Sequence, residues 1–416
     1  MTVWEDLVGQ DRVVAQLAAA ARDADAVVTA AEAADTPPAG PSAASDALPG
    51  GGAMTHAWLF TGPPGVGRAA AARAFAAALQ CVSPDRALDG GGPGCGHCEG
   101  CHTALLGTHA DVEVVRTDLL SLGVREIREL VRRAQLAPAG GRWQVIVLED
   151  ADRLTEGAGN VLLKAVEEPA PRTVWLLCAP SVEDVLPTIR SRCRHLVLRT
   201  PPVAAVADLL VRRDGVPPEQ ALAAARAAGG DVARALRLAT DERARERRAR
   251  VLRLPLRVAD VGGCLKAAQE LVEAAEEDAK QLAEEVDAKE TEALRTALGA
   301  SPGRGGGRLP RGTAGAVKEL EERQKRRATR TQRDALDLAL TDLAGFYRDV
   351  LARQFGATTP MRCEDVRDAV ERVAADSRPE QTLRRIEAVL ACREALDRNV
   401  APLLAVEAMT VALRAG

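Results

Sequence analysis

At 416 residues the chain has room for two or three folding units of about 150 residues each. An apolar share of 47% with 27% charged suits a globular chain in water. The aromatic share of 2% leaves aliphatic side chains and alanine to fill the cores and argues against base-stacking platforms. Fifty-nine acidic against 55 basic residues give a net charge of −4, without the basic excess of a protein that grips duplex DNA alone.

No apolar run approaches the roughly 18 residues of a membrane span, and Met1 to Asp6 lack the basic and apolar regions of a leader, so a cytoplasmic protein without a membrane partner is expected. In chain order, residues 1–22 read as a short amphipathic helix, and 24–53 as a flexible Ala, Pro, Gly and Ser insertion. From Ala57 to Leu198, short apolar runs at 57–60, 112–115, 145–148, 174–177 and 196–198 alternate with helical patterns. That alternation predicts a parallel sheet with helices on both faces. After Pro201 and Pro202 the strand-like runs stop. Short helices then continue to about residue 242, with a break at Gly229 and Gly230. The remainder is helical apart from a Gly-rich connection at 301–315. Leu336, Leu340, Leu343, Tyr347 and Val350 form one apolar stripe, suited to a bundle core or to a face that packs on another subunit.

The segment from Trp58 to Ala69 reads as a strand, a glycine-rich loop and a helix start. In a phosphate-binding loop, backbone N–H groups wrap the phosphates, a lysine reaches the terminal ones and a hydroxyl holds Mg²⁺. Gly62, Gly65 and Gly67 keep the glycine pattern, but Arg68 stands at the lysine position and Ala69, which cannot ligate a metal, at the hydroxyl position. Farther on, the apolar run 145–148 ends in Glu149 and Asp150, where an active ATPase of this build carries Asp then Glu. The shorter Asp150 is one methylene short of a water set against a terminal phosphate. These departures predict weak or absent ATP binding and no hydrolysis.

Nine cysteines in a chain expected to stay reduced are no disulfide framework, and Cys81, Cys95, Cys98 and Cys101 gather within 21 positions. Four thiolates at this spacing can close a tetrahedron around a structural Zn²⁺. The triplet spacing also occurs in iron–sulfur proteins, but nothing here supplies an electron-transfer context. His97 and His102 read as surface neighbours, and the remaining cysteines as buried apolar residues. Arg125, Arg128 and Arg132 share a helix face that could meet a phosphate backbone or simply face solvent. Arg192, between Ser191 and Cys193 just before the last strand, is by itself an ordinary solvated arginine.

Several stretches together resemble the bacterial clamp-loader subunits of the AAA+ class. They are the degenerate loop, the cysteine module after its helix, Gly107 to Asp111, Asn160 to Lys164 running on to Glu167, Glu168 and Pro169, and Ser191-Arg192-Cys193. The pattern is nearest to the delta-prime family of the DNA polymerase III holoenzyme and extends over residues 1 to about 240. The resemblance implies an α/β AAA+ P-loop domain at 1–199 with the zinc module at 81–101 inserted. A small helical lid at 200–242 and an all-α collar at 243–416 would follow. It implies gamma or tau and delta subunits as partners in a ring that loads a sliding clamp on primed DNA, with Arg192 as an arginine finger on a neighbour's ATP. It does not imply polymerase chemistry in this chain. A hydrolysing gamma/tau-type subunit shares the module and the Ser-Arg-Cys motif and is the alternative. Ala110 in place of proline, Ala179 at a first sensor position and Ala233 at the second sensor's arginine position depart from the pattern and weaken that alternative.

Overall fold

A computed structural model describes residues 2–33, 52–87, 92–117, 121–140, 142–297 and 314–416. Two compact units make up the described chain, the first ending at Ala239 and the second running from Thr240 to Gly416.

In the first unit five parallel strands, β1 (Ala57–Thr61), β2 (Val112–Val115), β3 (Gln144–Leu148), β4 (Thr173–Ala179) and β5 (Arg194–Val197), lie in the order β2-β3-β4-β1-β5. β1 runs between β4 and β5, with Leu59 opposite Leu177 and His195. Burial on both faces explains the unbroken apolar runs of the central strands. Trp58, Phe60, Val145, Val147, Leu176 and Cys178 face one core, whereas Ala57, Leu59, Ile146, Leu148, Trp175 and Leu177 face the other. The first core is closed by α1 (Asp11–Ala33) and α2 (Arg68–Leu79), the second by α4 (Val124–Ala134) and α5 (Glu156–Glu167). Trp58 meets the edge of Phe75 at 5.2 Å, one of few aromatic contacts in an otherwise aliphatic interior.

The parallel sheet, its two helical faces and the helical remainder agree with the α/β reading of the sequence. The N-terminal expectation is corrected. No helix covers residues 2–10; α1 starts at Asp11 and runs through the supposed insertion as far as Ala33. Ala24 and Val28 extend the buried stripe of Leu17, Ala20 and Ala21, and Asp25 accepts ion pairs from Arg86 at 3.0 Å and Arg142 at 2.6 Å, so the helix gains by continuing. Residues 34–51 of that insertion, and 301–313 of the Gly-rich connection, lie outside the described residues.

Still within the first unit, α7 (Val203–Asp214), α8 (Pro218–Ala228) and α9 (Val232–Thr240) follow the sheet, α9 reaching its boundary. The second unit is helical. It comprises α10 (Glu242–Leu252), the long α11 (Val261–Ala297) and α12 (Ala314–Gln354), then α13 (Arg367–Asp376), α14 (Pro379–Asp397) and α15 (Pro402–Ala415). Leu336, Leu340, Leu343, Tyr347 and Val350 are buried there among Cys264, Ala268, Val389, Val406 and Leu413, so the apolar stripe is bundle core. Buried Arg248 is held by Asp342 at 3.2 Å and Asp365 at 2.6 Å, which compensates its desolvation. Leu340→Ala is expected to lower unfolding free energy by about 2–5 kcal/mol, measurable by denaturant titration; a loss below about 1 kcal/mol would mean the stripe is not the packing centre.

Candidate functional site

The glycine-rich loop leaves the C-terminal end of β1 and enters α2, the place in an open parallel sheet where ligands are usually met. Gly62, Gly65 and Gly67 have φ of +150°, +81° and +91°, conformations that exclude most other residues. At Gly62 a side chain would also come within 2.6 Å of the Leu198 carbonyl oxygen. The backbone thus keeps the loop's form. The side chains do otherwise. Arg68 turns back and donates from Nη1 to the Gly62 carbonyl at 2.8 Å, closing the loop upon itself. Burial lowers the Arg68 pKa, a shift opposed by the Cys178 sulfur and by Asp152, Asp150 and Asp184. Ala69 beside it offers no metal ligand.

The carboxylates at the end of β3 are also engaged. Arg73, on α2, donates from Nε to Glu149 Oε1 at 2.8 Å and approaches it again from Nη2 at 2.7 Å; the Glu149 side chain is only 9% exposed. The guanidinium neutralises Glu149 and occupies its Oε1. Asp150 accepts the Thr117 backbone N–H at 3.0 Å and lies 3.8 Å from Arg153. Arg68, Arg73, Glu149 and Asp150 therefore each have a partner within the chain.

The thiol module is built by α2 and α3 (Glu99–Leu106). Cys81 follows the end of α2, Cys95 and Cys98 lie in the turns before α3, and Cys101 is in its first turns. Gly100 permits the close approach, because a side chain there would overlap the Gln80 carbonyl oxygen. The four Sγ atoms lie within 4.8 Å of one another, and Cys98 Sγ is 3.9 Å from Cys81 Sγ. Zn–S bonds of about 2.3 Å in a tetrahedron require sulfurs about 3.8 Å apart, so the donor set fits a metal ion. Backbone N–H groups of Val82 and Cys98 donate to Cys98 Sγ and Cys95 Sγ at 3.4 and 3.3 Å, support suited to thiolates. The hydrogen bond from Cys101 holds the Cys81 thiol far below its ordinary value, at about 4. His97 and His102 are exposed and stand outside the cluster. Cys178, Cys264, Cys363 and Cys392 are buried and Cys193 is half-buried.

Arg192 follows the single turn α6 (Pro187–Arg190). Its Nη2 lies 2.6 Å from Glu167 Oε1 at the end of α5, and its Nη1 donates to the Thr188 carbonyl at 2.8 Å and to Ser191 Oγ at 3.1 Å. With 39% of its side chain exposed, it is anchored on one side and open on the other. Arg125, Arg128 and Arg132 on α4 are exposed, and the first and last pair with Glu126 and Glu129 on the same helix.

Residues 50–202 match the family model described as "DNA polymerase III, delta subunit". The subunit delta' of Pseudomonas aeruginosa is 37% identical over 201 residues, 47% of this chain and 59% of that protein. Residues 50–202 are thus similar to subunits of DNA polymerase III. The delta' subunit of Escherichia coli is 35% identical over 185 residues, 44% of this chain and 54% of its own length. The gamma/tau subunit of Mycobacterium bovis is 37% identical over 162 residues, 39% of this chain and 27% of that protein. The matched part thus spans somewhat over half of these delta' subunits and about a quarter of this gamma/tau subunit. Equal identity to both kinds does not decide between them.

Two features of the site escape sequence reasoning. Arg73 shows no motif, and its partner is 76 positions away. Asp231 lies against the glycine-rich loop, although Gly-Gly-Asp before a helix signals only a turn and a cap. Among the described residues, no helix is long and apolar enough to cross a membrane.

Proposed function

We propose that this chain is a delta'-type, non-hydrolysing subunit of the DNA polymerase III clamp loader. In this reading it assembles with gamma or tau and delta subunits into a ring that loads a sliding clamp on primed DNA, and it supplies Arg192 to the ATP of an adjacent gamma or tau subunit. The observation that carries the reading is the Arg73–Glu149 ion pair, which neutralises the carboxylate at the end of β3 beside a loop that already lacks the hydroxyl ligand. Polymerisation itself belongs to another subunit. The AAA+ domain would span 1–199, the lid 200–242 and the oligomerising collar 243–416. Cys81, Cys95, Cys98 and Cys101 would hold a structural Zn²⁺, since four protein ligands leave no open position for catalysis.

The gamma/tau relatives, 37% identical, favour a second reading as an active ATPase. Arg68, Ala69 and the paired Glu149 speak against it. The purified chain is expected to show ATP turnover no higher than a protein-free control, by phosphate release with Mg²⁺ present. Turnover of about 1 s⁻¹ or more, the low end of ordinary enzymes, would establish the ATPase reading instead.

A further inference from the structure

We propose that the carboxylate of Asp231 is an internal anion that keeps nucleotide phosphates out of the glycine-rich loop. This rests on the reading of the loop as a lapsed nucleotide site and adds the device that holds it closed. Gly229 and Gly230, with φ of +65° and +96°, turn the chain from α8 into α9 and deliver Asp231 to the loop. A side chain built on Gly65 would overlap the Asp231 Cβ, Cγ and Oδ2 atoms, so this residue rests directly on the glycine. Its Oδ1 accepts the Arg234 backbone N–H at 2.9 Å, which fixes the carboxylate as the cap of α9 and leaves Oδ2 as the oxygen nearest Gly65.

Charge balance gives the contact its consequence. A phosphate-binding loop attracts an anion with backbone N–H groups and a cation. Here the available cation, Arg68, is turned onto the Gly62 carbonyl, and Arg73 is spent on Glu149. Among the described residues Asp231 makes no ion pair, so its charge remains beside the loop. An entering polyphosphate would meet a like charge in a partly desolvated place, where such repulsion is strong. It would also have to displace a side chain seated on Gly65. The same contact fastens α9 to the loop.

The test separates charge from bulk and is independent of hydrolysis. Asp231→Asn keeps size and cap but removes the charge; Asp231→Ser keeps the cap and removes both charge and bulk. Each is made in the full chain, alone and together with the double substitution Arg68→Lys and Ala69→Thr, and MgADP and MgATP binding is measured by calorimetry. In that doubly substituted background, Asp231→Asn is expected to bind MgADP at least tenfold more tightly than its parent, and Asp231→Ser at least as tightly as Asp231→Asn. Circular dichroism unchanged from the parent shows that both fold. Equal affinity of Asp231→Asn and its parent, including no measurable binding by either, overturns the proposal. So does native protein that binds MgADP as tightly as its own Asp231→Asn variant. ATP turnover by the native chain would instead refute the non-hydrolysing reading, and the two failures are distinct.

Discussion

If Arg192 acts in trans as proposed, Arg192→Ala is expected to leave the chain folded and able to assemble, while hydrolysis at the adjacent subunit's pocket falls about a thousandfold, the low end for removal of an arginine finger. The fold should survive because the Arg192–Glu167 pair is exposed on both sides, 39% and 36%, and such pairs contribute about 0–1 kcal/mol. A group that is cheap for the fold and costly for a partner's reaction is what an arginine supplied in trans should be. Arg192→Lys is expected to recover little, since an ammonium cannot reproduce the planar fork that spans phosphate oxygens. The measurement is single-turnover ATP hydrolysis in a ring reconstituted from gamma or tau, delta and this chain, with assembly followed by mass. An unchanged rate in a fully assembled ring would remove the finger assignment.

Glu167 gives that experiment a control within this chain. It belongs to α5, whose N-terminal cap is Thr155, and it grips Arg192 at 2.6 Å from across the turn that carries Ser191. Arg192 is thereby tied to the helix that lines the second core rather than to a loose loop. Glu167→Gln retains a hydrogen-bond acceptor but loses the charge, so it should slow the neighbour's hydrolysis far less than Arg192→Ala does.

The sheet was legible because strands buried on both faces must be apolar throughout; the runs at 57–60, 112–115 and 145–148 fall within observed strands. The loop and the cysteine spacing were equally plain, since close backbone approach at Gly62 and Gly100 tolerates no side chain. What sequence could not reveal depends on partners far apart in the chain. α1 was cut short because alanine carries little periodic signal, and the reason for its continuation, Asp25 receiving Arg142, spans 117 positions. Likewise no local signal pairs Glu149 with Arg73, 76 positions away; the fold brings them together. Motifs report what a local backbone can do, whereas charge neutralisation is settled by packing.

Removal of the metal should have the largest effect on stability. The purified protein is expected to contain about one equivalent of zinc, and a strong chelator or Cys98→Ser should loosen residues 81–101 at a cost of several kcal/mol, because binding energy at a structural site is folding energy. The reason is local. The module joins the end of α2 to α3 through thiols that, without an ion, have weak mutual contacts of about 3.9 Å between Cys98 and Cys81. Its other ties include the Val3 N–H to the Gly94 carbonyl at 2.9 Å and the packing of α3 on Gln80. Loss of the ion should therefore free the N-terminal segment as well, visible as faster amide exchange at Val3 and in α3. The helical unit from Thr240 onward, with its own core, should exchange as before. A zinc-free protein with unchanged exchange and melting temperature would show that the four thiols hold no structural ion.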